Sequence, residues 1–132
     1  SYFLQRKQSL DRVIYSLIRV RDREIAQELY FRIHEKEQSF ADLARQYSQG
    51  SEAQVNGIVG PEELGTIHPQ LAQFLAIAQP GQLCLPISVE GWQVILRLEK
   101  LIPAQLDVSM RQRLLRELFE VWVQEQIQLE LM

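Results

Sequence analysis

From Val13 to Val20 the chain reads VIYSLIRV, rich in β-branched and aromatic residues that suit a pleated surface, which predicts a strand. Ahead of it, Phe3, Leu10 and Val13 recur at helical spacing in a polar stretch. This predicts a short helix over residues 2–12, one that cannot bury its face alone. After the strand, Asp22 is placed to cap a helix running to about Glu37, with Ile25, Leu29, Tyr30 and Ile33 on its apolar face. Ser39 followed by Asp42 resembles a capping box and starts a second helix, with Phe40, Leu43, Ala44 and Tyr47 on one side. Residues 50–57 are polar and loop-like, and the short apolar piece Gly57–Val59 reads as a strand closed by Gly60-Pro61.

Pro69 suits the first position of a third helix, carrying Leu71, Phe74, Leu75 and Ala78. Pro80-Gly81 ends it and turns into a strand over Leu83–Ile87. Glu90-Gly91 makes a hairpin turn into Trp92–Leu98. There Trp92, Val94, Leu96 and Leu98 share one face and Gln93, Ile95 and Arg97 the other. Pro103 breaks the chain. Asp107 or Ser109 then caps a long last helix with Leu115, Leu118, Phe119, Trp122, Val123, Ile127 and Leu129. The order is α, β-α-α-β-α-β-β, α, an α+β fold with a small, largely antiparallel sheet covered by helices and flanked by N- and C-terminal helices. The expected organisation is an N-terminal helix over 1–13, a central domain over 14–102 and a C-terminal amphipathic helix over 103–132.

With 132 residues the chain suits one core, and a net charge of −3 with 23% charged residues gives no broad basic surface for nucleic acid or anionic lipid. No apolar run approaches the roughly 20 residues of a membrane span. The single cysteine, Cys84, excludes an internal disulfide framework and a multi-Cys metal site, and reads as a buried structural thiol. His34, beside Glu35 and Glu37, reads as a surface residue, and His68, before Pro69, as a helix cap. Two isolated histidines do not make a zinc site, so no metal or cofactor is expected. The chain starts at Ser1 without Met and without a signal-peptide pattern. It is expected to be part of a longer protein whose N-terminal helical region precedes it, and either cytoplasm or periplasm suits it.

The motifs NGIVG (56–60), QPGQ (79–82) and EGWQVI (90–95), with the segment from Gly50 to Leu71 aligned without a gap, resemble the parvulin family of peptidyl-prolyl cis/trans isomerases over about residues 14–102. The resemblance implies a parvulin-like sheet and a site built from two His and a Cys or Asp. Those positions fall near Ser16, on Gly50 and on Gln93. It further implies that Val59, Ile67 and Leu71 hold a substrate proline ring, with Gln93 completing the peptide-binding set. The polar residues are replaced while the apolar ones remain apolar, so the expectation is binding of proline-containing or extended polypeptides with weak or absent isomerase activity, in a chaperone or peptide-maturation role. The phospho-specific members use a long basic loop where Arg21 and Arg23 stand, and this connection is very short. The alternative is a catalytically dead adaptor or dimerisation module, a homodimer or partner helix being recruited through Leu115, Leu118, Phe119 and Trp122.

Overall fold

The computed structural model describes residues 1–131. Its elements are α1 (Tyr2–Leu10), β1 (Arg12–Val20), α2 (Arg23–His34), α3 (Phe40–Tyr47), β2 (Ile58–Glu63), α4 (Pro69–Ile77), β3 (Ile87–Val89), β4 (Trp92–Ile102) and α5 (Val108–Leu131), with short 3-10 helices at Ser51–Val55 and Leu64–Thr66. The four strands form one antiparallel sheet in the order β2-β1-β4-β3. The α+β expectation holds.

The sheet is buried on both faces. Facing α4, Val13 and Tyr15 of β1 and Val94, Leu96 and Leu98 of β4 pack with Leu64, Ile67, Leu71 and Leu75. On the opposite face, Ile18, Val20 and Ile95 pack under α2 and α3, against Leu29, Ile33, Phe40 and Leu43. Residues paired directly across β1 and β4, such as Leu17 with Leu96 and Ile18 with Ile95, share a face. Two cores on one central strand explain why Val13–Val20 is a nearly unbroken apolar run.

The caps follow the sequence. Asp22 accepts from the Glu24 and Ile25 amides, Ser39 from Asp42, and Asp107 from Met110. His68 caps α4, its Nδ1 accepting from the Gln70 amide at 3.2 Å.

Four expectations are corrected. In α2, Ala26 is buried and Ile25 is exposed, because the small side chain sits where the helix meets the sheet. Residues 51–55 form a 3-10 helix rather than an open loop. β2 continues through Gly60-Pro61, a cis peptide, to Glu63. As an edge strand it tolerates the missing proline N–H, and a bulge lets Glu62 and Glu63 pair with Val13 and Arg12. Leu83–Ile87 is not a strand. A single bridge joins Leu83 to Arg97, and regular pairing begins at Ile87.

The chain divides into two compact units, residues 8–103 and residues 1–7 with the chain from Ala104. In the second, Arg6 is paired with Glu117 and Leu114 is buried. Leu115, Leu118, Phe119 and Trp122 of α5 are all exposed, Phe119 at 63% and Trp122 at 55%.

Candidate functional site

The α4 face of the sheet carries an open groove of about 330 Å³ where Val59 and Leu71 meet. Its apolar wall comes from Leu17, Val59, Leu71, Val89 and Val94. Strand alternation aims the β1 and β4 members at α4, and β2 brings Val59 alongside, opposite Tyr15. Leu71 is 8% exposed, so it is at once core and groove wall. Ile67 is buried in the same apolar cluster but does not line the groove.

Tyr15, Arg19, Glu52, His68, Glu90 and Trp92 supply the polar and aromatic rim. Arg19 Nε donates to Glu52 Oε1 at 2.8 Å, and Nη2 lies 2.7 Å from the same oxygen. Ser48 Oγ donates to Glu52 Oε2 at 2.7 Å and accepts from the Arg19 amide at 3.0 Å. The Arg21 guanidinium lies 3.6 Å from the centroid of Trp92, with that of Arg19 at 5.6 Å, so the indole carries two cations on its ring. Across the rim His68 Nε2 stands 3.6 Å from Glu90. The Tyr15 hydroxyl reaches Glu62 at 3.5 Å. Burial, and then the negative charge of Glu62, push the Tyr15 phenol above its ordinary value.

Two expected site residues lie elsewhere. Ser16 pairs across the sheet with Arg97, and Gln93 with Val20, which puts both on the α2/α3 face, away from Val59 and Leu71. Ser16 is buried and donates to Glu99 Oε1 at 3.0 Å. Gln93 accepts from Ser88 Oγ at 3.1 Å. The groove-facing neighbours are Leu17 on β1 and Trp92 and Val94 on β4.

The third expected position, Gly50, is occupied from outside. A Cβ built there would overlap the Arg19 guanidinium and Glu52 Oε2. The Arg19–Glu52 pair thus fills the volume that a side chain at Gly50 would take. Sequence reasoning missed this pair. Its members are 33 residues apart, and their only local signal is a glycine followed two residues later by a glutamate.

Cys84 is half-buried, and burial raises its thiol above the ordinary value. Among the described residues no three His, Cys, Asp or Glu side chains gather as a metal site.

What the arrangement can do is limited by its chemistry. It offers an apolar trough, a fixed guanidinium and an aromatic edge, with no activated nucleophile in the groove among the described residues. It can desolvate and hold a small ring and can donate a hydrogen bond to an acceptor beside it.

A model of the rotamase family, described as the PPIC-type PPIASE domain, matches residues 19–100, more than half of the chain. No curated protein matches in sequence. Among solved structures, the chain is similar to the peptidylprolyl isomerase PrsA from Bacillus anthracis, at 21% identity and a TM-score of 0.72 over 86% of this chain and 52% of that one. It thus spans about half the length of that relative. It is also similar to the parvulin domain of PpiD from E. coli, at 26% identity and a TM-score of 0.60 over 74% of this chain and 95% of the domain. The third is one of the SurA-like chaperones of Campylobacter jejuni, at 16% identity and a TM-score of 0.66 over 96% of this chain and 57% of that one.

Proposed function

This chain belongs to the PPIC-type peptidyl-prolyl isomerase family, the parvulins, and from that premise we propose that its groove binds proline-containing or extended peptides with weak or absent isomerase activity, in a chaperone or peptide-maturation role. The observation that carries this reading is the division of the groove. Its wall is apolar at Leu17, Val59, Leu71 and Val94, while Ser16 and Gln93 are turned to the other face of the sheet.

Prolyl isomerisation breaks no σ-bond. A catalyst must lower a rotational barrier of about 18–20 kcal/mol by favouring the twisted amide over the planar one. An apolar trough contributes by excluding water from the amide and by holding the pyrrolidine ring, since the twisted amide is the less polar form. Holding the ring acts on substrate and transition state alike, so turnover beyond what desolvation gives needs fixed dipoles that follow the rotating carbonyl. The groove is well furnished for holding and poorly furnished for turnover. The likeness to SurA-like chaperones agrees with holding as a task.

The test is a pair of measurements on one X-Pro peptide: affinity by calorimetry, and isomerisation by exchange NMR. The reading expects saturable binding, with isomerisation staying near the uncatalysed time of roughly 10–100 s. Strong catalysis would overturn the weak-activity part, and absence of binding would overturn the whole.

A second reading is favoured by one observation, the exposed apolar side chains of α5 at Leu115, Leu118, Phe119 and Trp122. In it the helix recruits a second copy or a partner helix. Sedimentation of the purified chain distinguishes a homodimer that Phe119→Glu dissolves from a monomer that it leaves unchanged.

A further inference from the structure

Resting on the peptide-groove reading, the geometry points to Arg19 as the hydrogen-bond donor that receives the backbone carbonyl preceding the bound proline, with Glu52 and Ser48 as the residues that position it. Three observations carry this.

First, strand alternation puts Arg19 on the same face as Tyr15 and Leu17, so the guanidinium stands at the rim of the apolar trough rather than on the outer surface. Second, it is held from behind. Glu52 is only 6% exposed, and its two oxygens are engaged by Arg19 and by Ser48. Ser48 in turn accepts from Arg19's own amide, closing a ring of hydrogen bonds that fixes the side chain relative to its strand. Among the described residues Arg19 is the only cationic partner of this deeply buried carboxylate, which holds its Nε and Nη2 edge. Third, the opposite edge of the guanidinium, Nη1, makes no hydrogen bond among the described residues, and the Arg19 side chain is 37% exposed. A guanidinium carries five N–H donors in a rigid fork. With one edge pinned, the other is a pre-oriented donor beside a water-poor wall.

Gly50 makes this arrangement possible. Any side chain there would collide with the guanidinium and with Glu52, so the glycine and the arginine form one device. The chemistry that fits Nη1 is a neutral acceptor. The rim sets Glu52 and Glu90 against the Arg19 and Arg21 guanidiniums, so no large excess of positive charge draws an anion. A ring seated against Leu71 and Val59 would bring the amide entering that ring toward the Arg19 rim of the same small groove.

The experiment uses two ligands and one principal substitution. The ligands are a short capped X-Pro peptide and its isostere in which a carbon–carbon double bond replaces the X-Pro amide, deleting the carbonyl. Affinities are measured by calorimetry for the native chain and for Arg19→Met, with thermal unfolding checked for each. The expected result is an affinity loss of about tenfold for the amide peptide, the scale of one charge-assisted hydrogen bond, with no change for the isostere. Arg19→Lys should recover part of the loss, and it serves as the variant to be read if Arg19→Met does not fold. Equal loss for both ligands, or no loss for either while the native chain still binds, would overturn the role of Arg19 and leave the groove reading standing. Failure of the native chain to bind the amide peptide at all would overturn both.

Discussion

Gly50→Ala is the substitution whose effect depends most sharply on the architecture of the rim. The backbone at Gly50 is extended, with φ −106° and ψ 178°, a conformation that alanine adopts without strain. On backbone grounds alone the change should stabilise the fold by about 0.4–1 kcal/mol, because alanine restricts the unfolded chain. The new Cβ, however, meets the Arg19 guanidinium and Glu52 Oε2. Both are ends of side chains, so the structure yields there by parting the ion pair rather than by moving the sheet. The lost interaction is one charge-assisted hydrogen bond and a close contact, with Glu52 buried and Arg19 partly exposed, worth about 1–3 kcal/mol. The net expectation is a destabilisation of about 1–2 kcal/mol. Urea unfolding followed by tryptophan fluorescence measures it, and the decisive comparison is with an Arg19→Ala/Glu52→Ala background. There the obstruction is gone, and Gly50→Ala should become neutral or stabilising. An equal destabilisation in both backgrounds would refute the reasoning, because it would place the conflict in the backbone.

Leu71→Ala should lower stability by about 2–3 kcal/mol, toward the low end for a buried leucine since one side faces the groove, and should also weaken binding of an X-Pro peptide. Unfolding and calorimetry on the same sample read both effects. The raised Tyr15 phenol predicts an alkaline weakness. Below about pH 10, the ordinary tyrosine value, its contribution is fully present. As pH rises past 10 the unfolded chain ionises first and stability falls. Tyr15→Phe should flatten that slope in urea titrations between pH 9 and 11. Cys84, half-buried and with its thiol raised by burial, should react with a thiol reagent at pH 8 more slowly than a free cysteine peptide, and at the peptide's rate once the chain is unfolded.

The order of elements, their caps and the family were legible in the sequence because each rests on local chemistry, as at Asp22, Ser39, His68 and Asp107. Site placement was not legible to the same degree. On β1 both faces are buried, so the run VIYSLIRV has no polar alternation to mark which residues face α4. A one-residue difference in alignment exchanges Ser16 for Leu17 and thereby changes the face. On β4 the alternation was read correctly, with Trp92, Val94, Leu96 and Leu98 opposite Gln93, Ile95 and Arg97. What the sequence lacked was the side on which α4 packs, and that side is Trp92's. The Arg19–Glu52 pair depends on where the 3-10 helix at Ser51–Val55 sets Glu52 against β1, a tertiary relation without a local signature. The strand expected at Leu83–Ile87 begins only at Ile87, where pairing with Val94 becomes regular. β-propensity in Leu83 and Cys84 did not decide this.

The central claim is that a proline-containing peptide binds on the α4 face of the sheet. Methyl-labelled NMR tests it directly, because the two cores contribute separate sets of methyl groups. Titration with an X-Pro peptide should shift Leu17, Val59, Leu71 and Val94 while Ile18, Leu29, Ile33 and Ile95 stay in place, and an otherwise identical peptide with alanine for proline should shift the first set less. Shifts confined to the second set or to α5, or a first set left in place by the X-Pro peptide, would contradict the account.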